Sequence, residues 1–139
     1  IQIPNVKGRP VLAVALGINN KLGEVEKNSY SIALLDGEIG ELLTYLRGHT
    51  DWVRSLAIYT DTEGNPFLAS GANDFTIRLW DLTTQDEIAN LNADGIVKSL
   101  KIIRTGSRDE LLATTYNGNV IRIDIMRIIE RSRNLKEGR

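Results

Sequence analysis

Along most of the chain, short apolar runs alternate with clusters of turn-forming residues. Residues 52–59, 67–71, 76–81 and 87–91 carry Val, Ile, Leu and aromatic side chains between Gly, Asn, Asp and Thr. This predicts short β-strands, because branched and aromatic side chains fit a pleated, half-buried surface. Residues 37–40 and 83–86 read as tight hairpin connections. Asn117-Gly118 is the strongest hairpin signal in the chain, since the tightest hairpin turns need positive φ at both central positions. Near the end the pattern changes. Ile125, Ile128 and Ile129 recur at helical spacing, while a short strand over 125–129 fits the same residues. Residues 134–139 are polar and expected to fray.

The apolar pattern also repeats on a longer scale. GNPFLA at 64–69 echoes GRPVLA at 8–13, and IRLWD at 77–81 echoes IALLD at 32–36. Each of the latter is followed by a turn and an apolar stretch ending in Leu, at Leu46 and Leu91. A third, more divergent copy follows. Val53-Arg54-Ser55-Leu56 matches Val97-Lys98-Ser99-Leu100, and Leu68-Ala69-Ser70 matches Leu112-Ala113-Thr114. Several matches in one order argue for repetition of a unit of about 40–45 residues. The first unit differs by an insertion over 17–30, where the second has only 72–75. That segment is expected to be an exposed loop, either a tolerated insertion or a contact loop.

The second unit opens with Gly48-His49 and closes with Trp80-Asp81. In this it resembles one blade of a WD40 β-propeller, a four-stranded sheet that stacks radially around a central channel. The implied fold is all-β: a WD40-type propeller segment of about three four-stranded blades over 1–46, 47–91 and 92–126. A basic, helical or extended tail follows over 127–139. The resemblance is specific over 46–91, moderate over 10–46 and weak beyond Asn92.

The same resemblance implies a buried hydrogen-bond chain of His49, Ser70, Asp74 and Trp80. The chemistry suits it: an indole N–H is a donor only and needs an acceptor when buried. The Ser70 hydroxyl accepts it and passes a proton toward His49, whose tautomer the Asp74 carboxylate fixes. The other units lack the set. Leu35 and Val14 stand at the Trp80 and Ser70 positions of the first. In the third, Ala93 or Asp94 stands for His49 and Ile123 or Asp124 for Trp80. Those units are expected to rely on apolar packing.

In propellers that bind proteins or peptides, side chains near the start of the innermost strand line the channel rim. The matching positions are Trp52, Arg54 and Asn73 in the second unit, and Ile96 and Lys98 in the third. Trp and Arg are enriched in binding hot spots. The competing readings are that Trp52 packs between neighbouring blades and that Arg54 is a solvated charge. Propellers typically have 4–8 blades. Three leave two faces open, so ring completion is expected, by further blades of a longer chain or by homo-oligomerisation. The absence of a starting Met favours the longer chain.

Composition narrows the chemistry. Of 139 residues, 42% are hydrophobic and 25% charged, with a net charge of −1, which suits a soluble domain and offers no overall field for nucleic acid or an anionic membrane. No apolar run approaches the roughly 20 residues of a membrane helix, and residues 1–10 lack the features of a signal peptide. Cysteine is absent, which fits a reducing compartment, the cytoplasm. The lone histidine, His49, has no metal-ligand or nucleophile motif around it, so no catalytic residue, metal or cofactor is expected. The tail residues Arg127, Arg131, Arg133, Lys136 and Arg139 are read as solvated or as a contact for an acidic partner. The expected function is a non-catalytic scaffold that binds a protein or peptide on the propeller face. Two rival readings are a sensor or regulatory propeller within a larger multidomain signalling ATPase, and a nucleic-acid reader. Near-neutral charge and few aromatics speak against the latter.

Overall fold

The computed structural model describes residues 1–6, 8–17, 20–21, 24–25 and 29–138. Among these, the strands form three antiparallel sheets and a small ribbon. The first sheet has the order β1 (Gln2–Val6), β2 (Arg9–Ala15), β5 (Ile32–Asp36), β6 (Leu42–Leu46). The ribbon pairs β3 (Asn20–Lys21) with β4 (Glu24–Val25) inside the insertion between β2 and β5, where a plain loop was expected. Residues 18, 19, 22, 23 and 26–28 of that insertion, and Arg139 of the tail, lie outside the described residues. The second sheet runs β7 (Val53–Thr60), β8 (Pro66–Ala72), β9 (Thr76–Asp81), β10 (Asp86–Asn92). The third has β11 (Val97–Ile103), β12 (Glu110–Thr115) and β13 (Val120–Asp124).

The third sheet departs from the four-stranded pattern, because α1 (Ile125–Lys136) follows β13 directly. No turn residues separate the two. Instead Asp124 accepts the Arg127 N–H at 3.1 Å and caps the helix, satisfying one of the donors a helix start leaves orphaned. Ile125 and Ile129 are buried, so the helical spacing decides the segment against a strand. Residues 134–136 are helical rather than frayed, and two tail cations are paired: Arg133 with Asp61 and Lys136 with Asp86.

The register also corrects one repeat match. Leu68 lies opposite Trp80 in the second sheet, and Leu111 lies opposite Ile123 in the third. Leu111-Leu112-Ala113, not Leu112-Ala113-Thr114, is therefore the counterpart of Leu68-Ala69-Ser70. Counted between matched pairs, Leu56 with Ser70 and Leu100 with Ala113, the β11–β12 hairpin is one residue shorter than the β7–β8 hairpin, which shifts everything after it.

Period-2 alternation places two cores on the two faces of the second sheet. Ala57, Tyr59, Phe67, Ala69, Ile77 and Leu79 pack with Val97, Leu111, Ala113 and Ile123 of the third sheet, and with Ile125 and Ile129 of α1. Leu68, Trp80 and Leu82 pack with Val11, Ala13, Ile32, Leu34 and Leu46 of the first sheet and its flank. Every residue of β8 is buried. Fully burying a side chain such as Leu68 contributes about 1.5–3 kcal/mol. The second and third sheets are also joined by polar contacts: Tyr59 donates to Asp109 at 2.9 Å, Leu100 N–H to Ser55 Oγ at 2.9 Å, and Arg104 to the Thr60 carbonyl at 2.9 Å. Close approach here needs Gly71, since a Cβ would lie 2.3 Å from Val97 Cγ1.

Candidate functional site

Two candidate sites follow from this frame, one buried and one where β7 and β11 begin. The buried one sits on the face of the second sheet that meets the first. β9 carries Trp80 and β8 carries Ser70, side by side on one face. Trp80 Nε1–H donates to Ser70 Oγ at 2.9 Å. Ser70 Oγ lies 2.7 Å from His49 Nε2, and His49 Nδ1 lies 2.8 Å from Asp74 Oδ2. One proton arrangement satisfies all of them: Trp80 gives to Ser70, Ser70 to Nε2, and Nδ1–H to the carboxylate. Asp74 is further held by the Thr76 hydroxyl at 2.6 Å and the Thr50 N–H at 3.0 Å.

The electrostatics follow from burial and these bonds. Burial lowers the His49 pKa below its ordinary value, against the raising pull of Asp74, so the ring is neutral at pH 7. Burial pushes Asp74 the other way, but hydrogen bonds from Thr76, Thr50 and His49 outweigh it and hold the carboxyl below its usual range. The Arg78–Glu87 ion pair passes over Gly48, where a Cβ would lie 2.6 Å from Arg78 Nη1.

Ser70, His49 and Asp74 have the connectivity of a hydrolytic triad but not its access. Ser70 is 0% exposed and its oxygen is already taken by Trp80, leaving no room for an attacked carbonyl. Among the described residues, no group of three His, Cys, Asp or Glu side chains comes together as a metal site.

The third sheet has its own polar link where apolar packing alone was expected. Asp94, at the His49 end, accepts from Asn119, and Asn117 donates to the Asp94 carbonyl at 2.7 Å. Ile123 stands at the Trp80 position.

The rim site lies at the end of the sheets where β7 and β11 begin. Trp52 is 51% exposed and belongs to neither core, so it is not packed between sheets. Its carbonyl accepts the Asn73 N–H at 2.9 Å, and the Ile96 carbonyl accepts the Tyr116 N–H at 3.0 Å in the matching place. Arg54 and Lys98 sit on β-bulges at corresponding points of β7 and β11, and both are exposed. Bulges re-aim the side chains they carry. Arg54 Nε donates to Asn73 Oδ1. Ile96 is half-buried beside them.

The structure adds residues that sequence reasoning passed over. Tyr116 is 58% exposed and stacks under both cations: Arg54 Cζ is 5.6 Å and Lys98 Nζ 5.7 Å from its ring centroid. Phe75 is half exposed at the same end, with φ 66. It holds the left-handed turn position that Gly118 takes in the third sheet, a position that favours glycine. An aromatic residue beside a turn signal was the available clue for both. Thr76 was readable too, as the Thr two places after Asp74 in an Asp-initiated turn.

Comparison with known proteins gives the same picture. Residues 40–81 match the family model of the WD domain, G-beta repeat. The chain is 37% identical over 82 residues to the "Ribosome biogenesis protein BOP1 homolog" of Caenorhabditis elegans, covering 59% of this chain and 12% of that protein. It is 38% identical over 81 residues to the "Nuclear distribution protein PAC1-1" of Uncinocarpus reesii, covering 55% and 18%. With the "Ribosome biogenesis protein ytm1" of Botryotinia fuckeliana the identity is 29% over 120 residues, covering 82% and 25%. The chain thus spans a quarter or less of the length of these relatives.

Proposed function

We propose that this chain, whose residues 40–81 match the WD40 repeat, is a non-catalytic platform on which a partner protein or peptide docks. The observation that carries this reading is the rim. A half-exposed Trp52 stands beside Arg54, outside both cores, on strands fixed from below by the buried chain of hydrogen bonds. Exposed aromatic and Arg side chains on a rigid base are what a binding hot spot needs. The named relatives differ in their stated roles, ribosome biogenesis for one and nuclear distribution for another. That diversity supports a shared docking frame rather than a shared reaction.

The open faces support ring completion. Val11 and Ala13 point at the second sheet, so Leu12, Val14 and Leu35 lie on the opposite face of the first, half-buried and with no sheet against them among the described residues. A further blade of a longer chain, or a second copy, would cover them. The absence of cysteine and the net charge of −1 support a cytoplasmic, protein-directed role over a nucleic-acid one. Among the described residues no helix is long and apolar enough to cross a membrane.

The test is affinity capture from cells with the wild-type chain and with Trp52→Ala. The variant should lose the specific partners and keep the wild-type melting temperature. Unchanged partners would sink the rim reading, and a lost folded signal would assign Trp52 to structure.

A further inference from the structure

Resting on the rim reading above, we infer that the site between the second and third blades takes an acidic peptide segment of its partner, with one or two Asp or Glu side chains seated between Arg54 and Lys98 over Tyr116. The juxtaposition that carries this is two cations around one exposed ring. Arg54 Cζ and Lys98 Nζ lie 5.6 Å and 5.7 Å from the Tyr116 centroid. Among the described residues neither cation makes an ion pair, whereas Arg78 and Arg122 on the same two blades are neutralised by Glu87 and Glu110.

Two like charges gathered on one ring repel each other. The ring's quadrupole attracts each of them, by about 0.5–1 kcal/mol at an exposed site, and fixes where they stand. What the arrangement lacks is an anion between them. A carboxylate arriving there turns the repulsion into two attractions, a gain available only on binding. Asn73 holds Arg54 by its Nε, leaving the guanidinium's terminal N–H groups for the incoming oxygen pair. Trp52, half exposed on the same rim, offers an apolar neighbour for a bulky residue beside the acid.

The same rim argues against a polyphosphate. Asp51, whose carboxylate accepts the Trp52 N–H at 2.7 Å, and Asp94, next to Gly95 and Ile96, place negative charges at its margins. Two cations would release few counterions from a nucleic acid, and the flanking carboxylates would repel its neighbouring phosphates. A short acidic segment avoids both objections.

The test is selection of a displayed random 12-residue peptide library on the full chain, followed by titration of the winning peptide. Winners should be enriched in Asp and Glu next to an apolar residue. The Arg54→Glu/Lys98→Glu double variant, folded by circular dichroism, should select Lys and Arg instead. Affinity of the winning peptide should drop about tenfold or more between 50 and 500 mM NaCl, as screening requires. Tyr116→Ala should weaken it several-fold while Tyr116→Phe keeps it, because the ring and not the hydroxyl organises the cations. Winners with no acidic bias that still depend on Trp52 would overturn the acidic class and leave the platform reading standing. No Trp52-dependent winner would overturn both. Tighter binding of an oligothymidine than of the selected peptide would also overturn it.

Discussion

His49 has both ring nitrogens committed, one to Ser70 and one to Asp74, and this makes it sensitive to protons. Burial lowers its pKa in the folded chain, whereas the unfolded chain titrates near about 6.5. Below that value the unfolded state binds more protons, so the stability due to neutral His49 is full above about pH 6.5. It drains away as pH falls from there toward the folded pKa. Asp74, also lowered, contributes above its unfolded value of about 3.9 and is lost at still lower pH. His49 is the sole histidine, so a drop in melting temperature from pH 7 to 5.5 belongs largely to it. His49→Asn should be less stable at pH 7 and show a flatter slope over that range, read by thermal unfolding at each pH. An unchanged slope would mean that the ring is not the titrating group. Trp80→Phe should cost about 1–3 kcal/mol by removing the donor to buried Ser70. Trp80→Ala should cost about 3–5 kcal/mol by adding a cavity. A Trp80→Phe variant of wild-type stability would mean the hydrogen-bond chain adds nothing. At this scale the sequence is informative where chemistry forces a partner. His49, Ser70, Asp74 and Trp80 could be named because the unit resembles a WD40 blade, and the chemistry agrees, since a buried indole must donate somewhere. Tyr116 and Phe75 could not, because exposure depends on which neighbours arrive from distant strands.

The strands themselves were legible from alternation and turn residues, and the register was not. Leu112-Ala113-Thr114 looks like Leu68-Ala69-Ser70 by letters, yet the hairpin is one residue shorter between matched pairs, which puts Leu111 in the buried seat opposite Ile123. A single-residue slip moves every side chain to the other face, and only packing against Tyr59 and Phe67 settles which face is inside. The helix was legible only in part. Ile125, Ile128 and Ile129 fit both a helix and a strand. The decision came from Asp124 as a cap and from room beside β10 and β12 for a helix to dock. Ile129→Ala should then cost about 2–5 kcal/mol by opening a cavity under α1, whereas a frayed tail would leave denaturant melting unchanged. Gly71→Ala probes the seam between the second and third sheets. The added methyl must displace Val97, and strain in such a packed seam costs about 1–3 kcal/mol. A neutral result would mean that the two sheets move apart easily, contrary to the shared core.

At the scale of the whole molecule the two end faces differ in kind. The far face of the third sheet is mainly polar: Ser99 bonds Thr114 at 2.7 Å, Arg122 forks onto Glu110, and Lys101 is exposed, with Ile103, Leu112 and the exposed Val120 between them. Water satisfies such a face. The outer face of the first sheet instead presents Leu12, Val14 and Leu35, with Leu42 at its edge 48% exposed. A repeat array leaves a face at each end, and the more apolar of the two gains more from being covered. Apolar area left in water seeks cover, and in a solution of this chain alone the available cover is the same face of another copy. Two-fold pairing would join first sheet to first sheet, since such an interface is self-complementary. Light scattering of the isolated chain should therefore give about twice its 15.5 kDa at tens of micromolar. Leu12→Lys with Leu35→Lys should return it to monomer with an unchanged circular dichroism spectrum, because neither residue belongs to the two buried cores. A longer chain that supplies a preceding blade should be monomeric without any substitution. A wild-type monomer of the isolated chain, stable at those concentrations, would show that three blades need no cover on this face.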